Sequence, residues 1–137
     1  MSDEFKITPL ERAVSRLGEG LTADQRNPSD TLIRDGLVQR FEFTYEISQR
    51  LIRRYLAENV VSPETIAEMT FADVTRLANQ NQLLLGGWPR WKGWRDMRAR
   101  TIHSYDEQIA LDVVAGIPGF LDEARFLRDR LSERLIR

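Results

Sequence analysis

From Asp30 to about Glu58 the chain carries no proline, and Leu32, Ile33, Leu37, Phe41, Ile47, Leu51 and Tyr55 recur at helical rather than alternating spacing. Ser29 or Asp30 can cap such a helix, and its roughly 29 residues would span about 43 Å at 1.5 Å per residue. An apolar stripe this long and broad needs more than one neighbour to cover it. The stretch is therefore read as the spine of a helical bundle.

The rest of the chain supplies those neighbours. Thr8-Pro9-Leu10-Glu11 has a hydroxyl for a cap, Pro in the first turn and Glu to complete a capping box, with Leu10, Ala13, Val14 and Leu17 behind it at helical spacing. Gly18 and Gly20 are expected to end that helix, leaving Thr22 to Pro28 as loop. Ser62-Pro63-Glu64 and Thr70-Phe71-Ala72-Asp73 start two more helices, the second reaching about Leu84, before Gly86-Gly87-Trp88-Pro89 breaks the chain. Ser104-Tyr105-Asp106-Glu107 reads as another capping box, opening a helix to about Ala115. Gly116-Ile117-Pro118-Gly119 is expected to turn the chain before a last helix striped by Phe120, Ala124, Leu127, Leu131 and Leu135. Gly36, inside the long helix, is taken to mark a close helix crossing. No strand-like alternation or repeat occurs. The fold expected is all-α: an antiparallel up-down bundle with a long central helix and short extra helices, residues 1–137 forming a single domain.

Composition narrows the chemistry. With 137 residues, 42% hydrophobic and 30% charged, a real core can form without staples. There is no cysteine and one histidine, which removes thiolate nucleophiles, disulfides and any multi-histidine metal centre within one chain; no metal and no cofactor are expected. Neither the Met1 to Lys6 start nor any later stretch resembles a leader peptide or a membrane span, so the expected setting is cytoplasmic, away from membranes.

The single His103 lies in Arg98-Ala99-Arg100-Thr101-Ile102-His103-Ser104-Tyr105, an R-x4-H-x-Y pattern. A guanidinium suits phosphate, an imidazole can move protons near neutral pH, and a phenol can accept a group. The net charge of -1 conceals an uneven distribution: the window from Arg90 to His103 is +4 and the remainder -5. Lys92, Arg95 and Arg100 are therefore candidate RNA or phosphate contacts beside Arg98. His103 and Tyr105 are expected at a helix junction, where exposed N–H groups favour an anion. The three tryptophans, Trp88, Trp91 and Trp94, share this window; they could stack on bases, but packing into the core is the preferred reading. Glu42 and Glu46 are supporting candidates. Glu46 can pair with Arg50 along its helix, and either acid could instead reach an arginine of the motif.

The run Ile33-Arg34-Asp35-Gly36-Leu37-Val38-Gln39-Arg40-Phe41-Glu42-Phe43-Thr44-Tyr45-Glu46, taken with Arg98 to Glu107, resembles the nucleotidyltransferase substrate-binding protein-like family of the HEPN superfamily, close to the HepT-type toxins paired with minimal nucleotidyltransferase antitoxins. The resemblance covers about Asp30 to Ala115. It implies a helical bundle that forms a homodimer with the motifs facing a shared cleft, catalytic roles for Arg98 and His103, and adenylylation of Tyr105 by a separate minimal nucleotidyltransferase. Many relatives carry a polar residue, usually Asn, directly after the motif Arg. Ala99 stands there in this chain, so whatever an amide contributes is missing.

The function expected is thus a metal-independent, toxin-like HEPN ribonuclease working with a separate nucleotidyltransferase. The alternative is a non-catalytic nucleotide- or substrate-binding subunit of that transferase, and a third reading is a purely structural homodimeric module. The chain lacks the glycine-serine and paired-aspartate signature of a nucleotidyltransferase and is not one itself. RNA cleavage by its own 2'-hydroxyl needs a base, an acid and a cation. One histidine cannot be base and acid at once, and a two-fold dimer would present two.

Overall fold

The computed structural model describes residues 5–135; Met1 to Glu4, part of the stretch examined for a leader, lie outside the described residues, as do the last two. These residues form six α-helices: α1 (Thr8–Arg26), α2 (Thr31–Asn59), α3 (Pro63–Glu68), α4 (Phe71–Gln80), α5 (Trp88–Arg100) and α6 (Glu107–Leu135), with one 3-10 turn (Thr101–His103) between the last two.

The starts are locally written. The Asp30 carboxylate accepts from the backbone N–H groups of Leu32 and Ile33, at 3.0 and 3.2 Å. Ser62 and Thr70 hydroxyls cap α3 and α4 in the same way. Two start readings shift: α1 begins after Ile7 without a side-chain cap, and α6 is capped by Asp106, which accepts from Ile109 N–H at 3.1 Å, rather than by Ser104.

The ends depart further from expectation. Gly18 and Gly20 do not stop α1, which continues to Arg26. A Cβ on Gly20 would lie 3.2 Å from Arg40 Cδ and 3.4 Å from Leu37 Cδ1, so this glycine lets α1 and α2 approach closely. Gly36 does not mark that crossing, since a Cβ there would meet nothing within 4 Å. α4 stops at Gln80 rather than Leu84, and Leu83 and Leu84 are buried in the loop that follows.

The largest correction is at Gly116-Ile117-Pro118-Gly119, which lies inside one 29-residue helix, α6. Val113, Ile117, Phe120, Leu121 and Ala124 bury a continuous face across this segment, and Pro118 sits on the exposed side. There its missing N–H costs least, because the orphaned Val114 carbonyl can turn to solvent. Gly116 and Gly119 admit α5: a Cβ on Gly116 would collide with Met97 Sδ at 2.3 Å, and one on Gly119 would press on Arg90 Nη2 at 3.3 Å.

Contacts along the helices give the topology. α1 and α2 form an antiparallel hairpin. Arg34 faces Glu107 at the start of both α2 and α6, and Arg134 reaches Tyr55 at the end of both, so these two helices run parallel. α5 runs antiparallel to α6, Met97 meeting Gly116 and Arg90 meeting Gly119. α1, α2, α5 and α6 thus make an up-down-up-down bundle, with α3 and α4 in the crossover. Its core joins Leu10, Val14 and Leu17 to Leu37, Phe41, Ile52 and Leu56 and to Ile117, Phe120, Leu127 and Leu131. Trp91 and Trp94 complete it: they meet edge to face at 5.3 Å, and both lie against Phe120.

A buried carboxylate sets where α5 begins. Glu123 of α6 accepts from the backbone N–H groups of Leu85 and Gly86, both at 2.6 Å, while Asn79 Nδ2 donates to the Gly86 carbonyl at 2.7 Å. Sequence reading did not single out Glu123, because one acid among the many charged residues in the second half of α6 carries no pattern of its own.

Candidate functional site

The motif straddles the end of α5, the 3-10 turn and the start of α6. Arg98 leaves α5 toward α2, where it meets both supporting acids: Glu46 Oε1 pairs with Arg98 Nη2, and Glu42 Oε2 lies 3.8 Å from Arg98 Nη1. Thr101 holds the same guanidinium from below the motif. Arg98 Nη1 lies 3.4 Å from the Thr101 hydroxyl, which itself donates to the Arg98 carbonyl at 2.7 Å. Glu46 therefore turns to Arg98 rather than along its helix to Arg50. The two carboxylates, four residues apart, repel each other slightly in an isolated helix; a shared cation from 52 residues away in sequence is what makes their spacing favourable.

His103 and Tyr105 are both exposed, Tyr105 to 85%. Their rings meet edge to face with centroids 6.0 Å apart. Ile102, 75% exposed, stands beside them. Imidazole and phenol are thus presented together on the surface, one turn beyond a guanidinium that is oriented from three sides. The helix start here is less open to an anion than expected, since Asp106 occupies the cap and Glu107 in the first turn faces Arg34 at 3.7 Å.

The basic window is also more neutralised than its count implies. Lys92 pairs with Asp96 at 3.4 Å, and Arg100 with Asp112 at 3.4 Å. Arg90 lies over the Trp94 ring at 5.1 Å. Arg95, exposed one turn before Arg98, has no ion-pair partner among the described residues. Of the three proposed phosphate contacts, it alone is unengaged. Two of the tryptophans offer no stacking face, Trp91 being fully buried and Trp94 6% exposed.

Two residues of the site escaped sequence reading. Thr101 carried a signal, a hydroxyl three residues after Arg98 at a helix end. Tyr45, adjacent to Glu46, packs between Phe41, Trp91 and Phe120 with Gln49 donating to its oxygen. Burial pushes its phenol up to about 12, against the pull of Gln49, Arg95 and Arg98. It remains a neutral phenol under the motif arginines.

This bundle is shared with known proteins. Residues 5–133 match the family described as nucleotidyltransferase substrate binding protein like. The chain belongs to that family. Among its relatives is the protein named probable ribonuclease HepT of Haemophilus influenzae, 39% identical over 143 residues, an alignment covering 98% of this chain and 97% of the relative. A solved structure from the same organism, described as revealing the fold of a substrate binding domain of a nucleotidyltransferase, superposes with a TM-score of 0.86 at 30% identity, covering 93% of this chain and 99% of that one. Membership of the nucleotidyltransferase substrate-binding family agrees with the all-helical architecture. Among the described residues, no helix is long and apolar enough to cross a membrane.

Proposed function

We propose that this protein is a HEPN-type, metal-independent ribonuclease, toxin-like in action, that acts as a homodimer and is paired with a separate minimal nucleotidyltransferase able to adenylylate Tyr105. The observation that carries the reading is an oriented Arg98 five residues before an exposed His103, in a chain 39% identical to a protein named as a probable ribonuclease. In this reading the substrate's 2'-hydroxyl attacks the neighbouring phosphorus and the 5'-oxygen leaves. His103 of one subunit takes the 2'-proton, the second copy of His103 protonates the leaving oxygen, and Arg98 meets the charge that builds on the phosphoryl oxygens. Two copies are needed because each chain has one histidine.

Adenylylation fits the same surface. The Tyr105 oxygen attacks the α-phosphorus of ATP and pyrophosphate leaves, which places a phosphodiester charge and a bulky nucleoside beside His103. Both would keep RNA out. The 85% exposure of Tyr105 leaves room for a partner's active site.

A second reading, a non-catalytic nucleotide- or substrate-binding subunit, draws support from two observations. Arg98 already faces two carboxylates, and Ala99 offers no polar group beside it. The deciding experiment is cleavage of single-stranded RNA and tRNA in excess EDTA by protein shown by mass spectrometry to be unmodified at Tyr105. The ribonuclease reading expects cutting, and a loss of about 10²- to 10⁴-fold in His103→Ala. No cutting by dimeric, unmodified protein overturns it in favour of the binding subunit, and cutting undiminished in His103→Ala overturns the role given to His103.

A further inference from the structure

The cations around the motif are mostly paired, whereas three arginines outside it have no carboxylate partner among the described residues. On the outer face of the α1/α2 hairpin, two adjoining hollows of about 260 and 310 Å3 share Pro9 and Ile47 in their walls. The first is floored by Ala13, Phe43 and Ile47 and rimmed by Arg12, Arg16 and Arg40; the second is rimmed by Arg50, Arg54 and Lys6. Among the described residues, neither hollow has an Asp or Glu in its lining. Arg40 is engaged, donating to the Arg16 carbonyl at 2.7 Å with Glu19 4.0 Å away. Arg54 pairs with Glu58. Arg12, Arg16 and Arg50 are exposed and have no carboxylate partner among the described residues. Phe43, 53% exposed, shares the first hollow with Arg12 and Arg16.

Exposed aromatic surface surrounded by unpaired guanidinium groups is the chemistry of a single-stranded nucleic acid track, the ring stacking on a base and the arginines holding phosphates. A second copy of the chain fits poorly, because a two-fold contact would set the same arginines against each other. The location favours a strand as well. Phe43 and Ile47 follow Glu42 and Glu46 by one residue each, about 100° round α2, so the groove and the Arg98 clamp occupy adjacent faces of one helix.

We infer that the α1/α2 groove is a second RNA-contact surface, in which Phe43 stacks on a base and Arg12, Arg16 and Arg50 bind the phosphates of a single strand that also reaches Arg98 and His103. The inference rests on the reading of RNA as the ligand, so its test measures binding apart from cleavage. In a His103→Ala background, fluorescence anisotropy with a labelled single-stranded RNA of about 20 nucleotides, longer than a single site of about 4–16, is followed as salt is raised. Phe43→Ala is expected to weaken binding about tenfold and Phe43→Trp to restore it. Arg12→Gln with Arg16→Gln is expected to flatten the log–log salt slope by about 1.4, two single-strand contacts at about 0.7 each.

Binding by the background protein that ignores all these changes overturns the groove and leaves RNA as the ligand. No binding by the background protein overturns both. If sedimentation shows that Phe43→Ala breaks an oligomer as it weakens binding, the face is a contact between copies, and the inference fails. All the altered side chains are exposed, and circular dichroism confirms that the variants fold.

Discussion

Removing the Glu123 carboxylate tests whether one buried acid positions the whole motif helix. The side chain is fully buried and accepts two backbone N–H groups at 2.6 Å. In Glu123→Ala both donors lose their acceptor, at roughly 1–3 kcal/mol each, so the variant should lose about 2–6 kcal/mol. Unfolding entropy of about 2.1 cal/mol/K per residue over 137 residues makes each kcal/mol worth about 3.5 °C, and the melting temperature should fall by roughly 7–20 °C. Denaturant melts give the free energy, and amide exchange at Leu85 and Gly86 reports the site directly. Burial is the main influence on the Glu123 carboxyl and raises it above the ordinary range, against the Leu85 and Gly86 amides and the charge of Arg90. The folded state then holds this proton more tightly than the unfolded one. Its contribution is complete below the ordinary Glu value of about 4.3 and is lost as pH rises through the folded pKa. The advantage over Glu123→Ala should therefore be greatest at the acid end and shrink upward. A loss below about 1 kcal/mol, with Leu85 and Gly86 still protected, would refute the reasoning.

Pro118→Ala should stabilise the protein by about 1–2 kcal/mol in thermal melts, because α6 is continuous there and proline's helix penalty of about 3 kcal/mol exceeds the unfolded-state entropy it removes; destabilisation would mean that the chain needs a break. Glu46→Gln, which weakens a half-exposed ion pair, should cost under about 1 kcal/mol of stability. It should nonetheless lower kcat for RNA cleavage by about tenfold with little change in KM, through a misplaced Arg98; unaltered kcat would show that the clamp does not position it. Ultraviolet titration should find one phenol, absent from Tyr45→Phe, ionising at about 12. Because that folded pKa lies above the ordinary tyrosine value of about 10, Tyr45 should withdraw stability as pH rises from 10 to 12; a phenol at Tyr45 that titrates near 10 would show that it is not buried.

Helix starts were legible because a cap is a local event: the Asp30, Ser62 and Thr70 oxygens bond N–H groups two or three residues on, and neighbouring residues suffice to write that. The composition of the motif and its family likeness were equally plain in one dimension. Helix ends and charge pairing were not. Gly18, Gly20 and Pro118 are breakers by local preference, each with a penalty of about 1–3 kcal/mol, yet a buried apolar face runs past Pro118, and past Gly18 and Gly20 the partly buried Leu21 still packs on the core. Only the packed bundle supplies that burial. In the same way, the row of positive charges around Arg98 belongs to the sequence, but the positions of Glu42, Glu46 and Asp112, brought from other helices, decide which of those charges remain open to a phosphate. Coulomb attraction acts over ångströms of space rather than along the chain, and only the fold set those distances.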